Sequence, residues 1–139
     1  MSHIKKAYVD TLYGQIHYRH ATPILSFSPS EPVIIILPKL ASFSISMGAL
    51  VSYHAPLGYA IYAPDMPYMQ MFKAMGTWDK GRGVHLLGHH SGATLALELT
   101  NLNPDVVKNV CLAGPSVMSV DEQDEMKVRL LRAFIELVV

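Results

Sequence analysis

The segment from Val84 to Leu102 constrains the fold more than any other part of the sequence. It begins with a short apolar run, Val84 to Leu87, and continues through a polar turn bracketed by Gly88 and Gly92. An alanine- and leucine-rich stretch follows from Ser91 onwards. This order predicts a buried strand, a tight turn and a helix over residues 91–102, which is the repeating unit of a parallel sheet.

The spacing of the two glycines indicates which residue lies at the apex of the turn. In the G-x-S-x-G turn of many hydrolases, the middle residue has a strained backbone and stands up at the end of the sheet. Here Gly88 and Gly92 bracket His90, and Ser91 comes one residue later. Glycine suits the two flanking positions because strand and helix pass very close there. The spacing favours His90, since an apex at Ser91 would put the bulky His89 at a crowded point, although such a glycine pair also occurs simply for close packing.

Composition limits the class of protein. The chain has 139 residues, enough for one domain with a core. Half of the residues are apolar and 16% are charged, which suits a sheet covered on both faces or an apolar surface meant for a partner. Lysine plus arginine and aspartate plus glutamate number 11 each, and no basic patch is interleaved with aromatics. We therefore expect no nucleic-acid partner.

Cellular location is indicated by what the chain lacks. The longest aliphatic run, Val33 to Leu37, is too short to span a bilayer, so no membrane association is expected. No apolar segment of a signal peptide follows Lys5 and Lys6. Cys111 is the only cysteine, which excludes an internal disulfide and fits a reducing compartment. A cytoplasmic protein is the expectation.

Strand and helix patterns alternate along the chain. Residues 7–11 and 14–20 predict a hairpin, and the β-branched run 33–37 predicts a central strand buried on both faces. Further strands are expected at 59–63, 84–87 and 106–113, with helices at 43–54 and 91–102. The predicted class is α/β: a mostly parallel sheet with an antiparallel N-terminal hairpin and helices on both faces.

The end of the chain predicts an amphipathic helix over residues 119–139. Ser119 and Glu122 match a capping box, and acidic residues crowd the first turn, where the helix dipole favours them. Apolar residues then recur at helical spacing: Met126, Leu130, Phe134 and Val138. This stripe has to be covered, and a homodimer through the helix is one way of covering it.

Several segments together resemble the α/β-hydrolase superfamily, in the epoxide hydrolase and haloalkane dehalogenase-like branch. Residues 8–11 with Gly14-Gln15-Ile16-His17-Tyr18-Arg19 are similar to the family's opening hairpin, and residues 33–37 to the strand before the oxyanion loop. Residues 58–67 resemble its "G-Y-x-V-x-A-P-D-x-P" strand. Residues 87–93 look like a variant turn, "L-G-H-H-T-G-A", which carries histidine at the nucleophile position. The resemblance implies a partial α/β-hydrolase fold.

The sequence also departs from that family pattern. The oxyanion loop begins with Pro38-Lys39 instead of His-Gly or His-Gln, and residues 68–83 leave almost no room for the helix expected after Asp65. The later strands that carry the acid and the base of the family's catalytic triad are not among the 139 residues. We therefore expect a single truncated domain over residues 1–139, with a sheet core at 1–118 and, at 119–139, a helix at the start of a missing cap.

Five residues are the candidates for chemistry. His90 and Ser91 are the catalytic candidates, and the backbone N–H of Ser91, at a helix N-terminus, is placed to bind an oxyanion. Lys39 and Leu40 of the loop and Asp65 at the end of a strand are the candidates for the oxyanion site or pocket. Asp65 also fits a simple turn residue after a proline, and His90 also fits a surface histidine at the end of a sheet.

The other histidines do not predict a metal site. His85 and His89 are separated by about 13 Å along a strand, which prevents the convergence that zinc needs. His17 and His20 are expected on the solvent face of the first hairpin. No glycine-rich phosphate loop follows a strand, so neither a cofactor nor a metal is expected.

Two functions fit these observations. The first is an α/β-hydrolase-like protein that acts on a small organic ester, epoxide or related metabolite, with a role in secondary metabolism inferred by analogy. Whether it is an enzyme stays undecided, because the triad is incomplete and serine catalysis needs a positioned base. The second is a catalytically inactive remnant that acts as a binding or interaction protein through the C-terminal helix and the methionine cluster of residues 66–75.

Overall fold

One mixed sheet forms the centre of the computed structural model, which describes residues 4–11, 14–23, 30–40, 42–65, 71–115, 118–125 and 128. Within these residues the strand order is β1-β2-β4-β3-β5-β6. The first two strands are antiparallel to each other, β2 is antiparallel to β4, and the remaining pairs are parallel. The predicted class is confirmed. The strands are β1 (Lys5–Thr11), β2 (Gly14–Ala21), β3 (Val33–Leu37), β4 (Ile61–Pro64), β5 (Val84–His89) and β6 (Val107–Ala113).

Strand β3 is central because its side chains are apolar on both faces. All five residues are buried, and the strand pairs in parallel with β4 and β5. Ile35 and Leu37 enter the core on one face of the sheet, and Ile34 and Ile36 enter the core on the other. The burial of residues 33–37 on both faces, predicted from their β-branched run, is confirmed.

Helices cover both faces of the sheet. Helix α1 (Gly48–His54), which follows a 3-10 turn at Ser44–Met47, packs on one face through Val51. Helices α2 (Met71–Asp79) and α3 (Ser91–Leu102) pack on the opposite face, with Trp78 and Leu99 in its core. No helix among the described residues is both long and apolar enough to cross a membrane.

Helix α2 corrects an expectation from the sequence, which left almost no room for a helix before β5. The helix fits because its exit is tight. The Asp79 carboxylate accepts the backbone N–H groups of Gly81 and Gly83, and Lys80 takes the left-handed conformation with φ of 49°. These contacts turn the chain directly into β5.

The C-terminal part of the chain is described only at its start. The predicted capping box is confirmed: the Ser119 backbone N–H donates to Glu122 Oε2 at 2.7 Å, and the Glu122 backbone N–H donates to Ser119 Oγ at 3.3 Å. Residues 120–125 are helical. Most of the predicted apolar stripe, including Leu130 and Phe134, lies outside the described residues.

Candidate active site

The strained residue of the strand–turn–helix unit is His90. It joins β5 to α3 with φ of 56° and ψ of −118°, and its side chain is exposed. Its backbone is fixed on both sides: its N–H donates to the Ala113 carbonyl at 2.8 Å, and its carbonyl accepts the Ala93 N–H at 2.9 Å. The turn therefore has its apex at His90, the position that the glycine spacing favours.

The two bracketing glycines are required by close packing. A Cβ at Gly88 would lie 2.5 Å from the Cα of Ala93, so strand and helix touch there. A Cβ at Gly92 would lie 2.2 Å from the carbonyl oxygen of Leu37, so α3 also touches the end of β3. Neither position accepts a side chain without a backbone shift. The glycines consequently hold His90 at one defined place above the sheet.

Ser91 is tied to the loop after β3. Its Oγ accepts the backbone N–H of Leu40 at 2.5 Å. Among the described residues its hydroxyl hydrogen bonds to this loop amide and to no imidazole. Leu40 and Lys39 are both exposed on the loop. Ser91 is thus placed as a hydrogen-bond acceptor without the neighbouring base that a serine nucleophile needs.

Backbone donors converge beside the apex. The N–H groups of Ser91 and Gly92 open α3 and have no acceptor within the helix. The Leu40 N–H lies against the same first turn, since it binds Ser91 Oγ. Such N–H groups at a helix N-terminus stabilise negative charge on a carbonyl or alkoxide oxygen. The arrangement can bind an oxyanion next to His90.

Asp65 forms a second group with two residues that the sequence did not single out for chemistry. Its Oδ1 accepts the backbone N–H of Ser44 at 2.6 Å, and its Oδ2 accepts Nδ1 of His17 at 2.8 Å. The Asp65 backbone N–H also donates to the His17 carbonyl at 2.9 Å. Asp65 is therefore an anchor for its neighbours and more than a turn residue.

The expectation that His17 and His20 face solvent is wrong. The His17 side chain is 21% exposed and is held between Asp65 and the ring of Tyr8. The His20 ring stacks on Tyr62 with an interplanar angle of 12°. Burial, with a smaller contribution from Lys5, lowers the pKa of His20. Both rings are partly covered by residues distant in sequence, His17 by Asp65 and His20 by Tyr62, because β2 pairs with β4.

The Asp65 carboxyl is held in its charged form. Partial burial works to raise its pKa, but hydrogen bonds from Ser44 and then from His17 outweigh that effect. The pKa of Asp65 consequently lies below its ordinary value of 3.8. Near neutral pH the carboxylate accepts both of its hydrogen bonds as an anion, which makes them stronger than neutral bonds.

The two groups of residues lie apart on the same edge of the sheet. Asp65 follows β4, two strands from the His90 turn, and His17 is on β2, three strands away. At about 4.8 Å per strand, these backbone separations are about 10 and 14 Å. The structure thus brings His90, Ser91 and Leu40 together, whereas Asp65 and His17 form a separate pair.

A groove of about 360 Å³ lies on the α1 face of the sheet, beside β5 and β6. Its polar lining includes His85, whose Nδ1 is 3.0 Å from Nδ2 of Asn109, and Tyr59, whose ring meets His85 edge to face. The exposed, free Cys111 also lines it. Among the described residues, no three histidine, cysteine, aspartate or glutamate side chains cluster as metal ligands.

Comparisons with known proteins identify the fold. No protein-family model and no curated protein sequence matches the chain. Solved structures do match. They include a thioesterase domain from the curacin biosynthetic pathway, at 16% identity and a TM-score of 0.67, over 94% of this chain and 54% of that one. Epoxide hydrolase VrEH1 from Vigna radiata matches at 20% identity and a TM-score of 0.66, over 82% of this chain and 41% of that one.

A third match is an alpha/beta hydrolase from Novosphingobium aromaticivorans, at 20% identity and a TM-score of 0.65. It covers 81% of this chain and 44% of that one. The chain therefore spans about half the length of these structures. At such identities the likeness concerns the fold, and the six-stranded mixed sheet with its antiparallel N-terminal pair agrees with it. The described residues have the fold of the α/β-hydrolase core.

Proposed function

We propose that this chain is a hydrolase-type protein that acts on a small organic ester, epoxide or related metabolite, and that reactive acyl esters are the substrates it turns over. The observation that carries the proposal is the exposed imidazole of His90 at the strained apex, beside the N–H groups that open α3. Histidine is a competent nucleophile in covalent catalysis.

An acyl ester can complete a cycle at His90. A ring nitrogen attacks the carbonyl carbon, while the carbonyl oxygen, now negative, is stabilised by the N–H groups of Ser91 and Gly92. The intermediate collapses and expels the alkoxide, and the imidazole loses its N–H proton to solvent. Water then attacks the acyl-imidazole and releases the carboxylic acid, which restores the free ring. A stable leaving anion makes this sequence possible without a separate general acid.

An epoxide cannot complete the same cycle. Attack of the imidazole opens the three-membered ring, the alkoxide takes a proton from water, and the ring nitrogen keeps a carbon–nitrogen single bond. Water does not cleave that bond, so each His90 reacts once. An ester is therefore the better substrate for a histidine in this position, and an epoxide is a reagent that labels it.

We extend the proposal to a role in secondary metabolism and to the cytoplasm. The likeness to a thioesterase domain of a biosynthetic pathway supports the first extension, since that domain also acts on an acyl group. The free and exposed thiol of Cys111 supports the second, because exposed free cysteines suit a reducing compartment.

Hydrolysis of p-nitrophenyl acetate tests the proposal. His90→Gln should lower the rate of hydrolysis to the background level that the other histidines produce, because glutamine keeps a polar side chain but is not a nucleophile. His89→Gln is the matched control, since His89 is also exposed and adjoins the apex. Ser91→Ala should keep the activity, and a fluorophosphonate probe should leave Ser91 unlabelled. Equal rates for the His90 and His89 variants would contradict the proposal.

A second function, a non-catalytic binding protein, is favoured by a different observation. Ser91 Oγ occupies the Leu40 amide, and the Asp65–His17 pair lies two to three strands from the turn. In this case p-nitrophenyl acetate would be hydrolysed no faster by the wild type than by His90→Gln. A carboxylic acid or ester would nevertheless shift the amide resonances of Leu40 and Ser91 on binding.

A further inference from the structure

We infer that Asp65 and His17 are positioning residues, which hold the loop between β3 and α1 so that the Leu40 amide lies against the first turn of α3. The catalytic meaning of this inference rests on the proposed function, because the Leu40 amide holds Ser91, whose own N–H is one of the oxyanion donors there. Its structural content is a chain of hydrogen bonds that joins Asp65 to Ser91 through the loop.

The first anchor lies where the loop enters the 3-10 turn. Ser44 is 1% exposed, and its backbone N–H is bound by Asp65 Oδ1 at 2.6 Å. Nδ1 of His17 hydrogen bonds to the other carboxylate oxygen, Oδ2, at 2.8 Å. The Asp65 backbone N–H donates to the His17 carbonyl, and this second hydrogen bond keeps the two residues side by side. An anionic acceptor with two donors is a stronger anchor than a neutral group would be.

The loop transmits this anchor through its own hydrogen bonds. Oγ of Ser46, in the same 3-10 turn as Ser44, lies 2.7 Å from Oγ of Ser42. The Ser42 backbone N–H donates to the Lys39 carbonyl at 3.1 Å. Lys39 is bonded covalently to Leu40. Hydrogen bonds of Ser42 therefore link the turn that contains Ser44 to the peptide group between Lys39 and Leu40.

The second anchor lies at the helix. The Leu40 N–H donates to Ser91 Oγ at 2.5 Å, so the loop is held at both ends, and Ser91 is the residue directly after the strained apex. The side chains of Asp65 and His17 bind each other and Ser44, and among the described residues no hydrogen bond joins either of them to His90. The route by which the pair can influence His90 is therefore the loop.

Amide NMR spectra of the full chain test the inference without depending on activity. In Asp65→Ala, the Ser44 resonance should lose the downfield shift typical of a bond to a carboxylate, and the Leu40 resonance should move as well. Asp65→Asn keeps an acceptor for Ser44 and removes the charge, so it should move both resonances less. His17→Phe keeps a ring against Tyr8 but cannot bind Asp65, and it should also move both.

His20→Phe is the matched control, because His20 lies on the same strand and stacks on Tyr62 without contacting Asp65. Neither resonance should move in this variant. The spectra first verify that Asp65→Asn and His17→Phe are folded. If the Leu40 resonance is then unchanged in both variants, the inference is overturned. If Asp65→Ala does not fold, those two variants decide the outcome alone.

Kinetics separates failure of this inference from failure of the proposed function. For p-nitrophenyl acetate, His17→Phe should lower kcat several-fold and change KM little, because oxyanion stabilisation acts on the transition state. If the amide shifts occur but the wild type hydrolyses no ester, positioning is supported and the proposed function fails. If the ester is hydrolysed equally by wild type and His17→Phe and Leu40 does not move, the positioning role fails alone.

Discussion

Replacing His90 by glycine is expected to stabilise the fold while it removes the imidazole from the turn. With φ of 56° and ψ of −118°, His90 has a backbone conformation that costs a residue with a side chain about 1–3 kcal/mol. Glycine removes this cost, but it also gives the unfolded chain more conformational entropy, which lowers the free energy of unfolding by about 0.4–1 kcal/mol. The free energy of unfolding should therefore rise by roughly 0.5–2 kcal/mol, since the exposed His90 side chain contributes little packing.

Urea denaturation and thermal melting measure this change. For a chain of this size, about 1 kcal/mol raises Tm by about 4 °C. His90→Ala should not show the gain, because alanine keeps the Cβ that makes the positive φ unfavourable. The difference between the glycine and alanine variants therefore isolates backbone strain from loss of the imidazole. Activity toward p-nitrophenyl acetate should be lost in both variants.

His89→Gly is the control for the opposite sign. His89 is the last residue of β5 and has no positive φ, so glycine there should destabilise the protein by about 0.5–1 kcal/mol. A stabilised His90→Gly beside a destabilised His89→Gly supports strain at the apex. If glycine lowers stability equally at both positions, the turn stores no strain and the assignment of His90 as apex loses its energetic basis.

Three further predictions concern packing, pH and association. Gly92→Ala should destabilise the fold by about 3 kcal/mol or more, because its Cβ would meet the end of β3. Gly48→Ala has open space around its Cβ and should leave stability unchanged or raise it. Chemical denaturation of both variants measures the difference. The pKa of Asp65 is lowered on folding, so the ionised carboxylate contributes fully to stability above its unfolded pKa of 3.8. This contribution is lost as the pH falls below 3.8 and through the pKa of the folded state. Asp65→Asn should remove this part of the pH dependence of the urea midpoint. Replacing Leu130 and Phe134 together by lysine should either dissociate a dimer or unfold the domain, as measured by size-exclusion chromatography and melting; no change in either would leave the predicted stripe exposed.

Features of the fold that depend on local sequence could be predicted. The apolar run of β3 is buried on both faces, as its composition requires. The spacing of Gly88 and Gly92 predicted the positive φ at His90. Both glycines are required by contacts within one strand–turn–helix unit and with the neighbouring strand β3. The capping box at Ser119 is likewise local. In each case the physical cause lies within a few residues or in one strand pairing.

The second half of the candidate site could not be predicted in this way. His17 meets Asp65 only because β2 pairs antiparallel with β4, with Tyr18 opposite Pro64, and no pattern inside either strand specifies that register. The anchoring of Ser44 by Asp65 likewise joins segments that follow two neighbouring strands, β3 and β4. Boundaries also shifted: β4 begins at Ile61, two residues later than predicted, since its pairing partners decide where the ladder starts. The long-range register between strands, more than residue type, determines which of these side chains meet.

The strand order itself limits what the described residues can catalyse. In the proposed cycle the N–H groups that open α3 stabilise the oxyanion formed at His90, whereas the Leu40 N–H of the loop after β3 is bound by Ser91 Oγ. Strands β3 and β4 lie between β5 and β2, and the His17 side chain of β2 is bound to Asp65. Under the proposed function, the described residues therefore supply N–H donors for negative charge, and among them no hydrogen bond joins an acid or a base to the His90 side chain. Chemistry under these conditions requires a leaving group that departs without protonation, and so the rate of hydrolysis should fall steeply as the pKa of the leaving alcohol rises, from p-nitrophenyl to phenyl to ethyl acetate. A flat dependence across these three esters would mean that a proton donor acts at the turn, contrary to the geometry of β2 and β5.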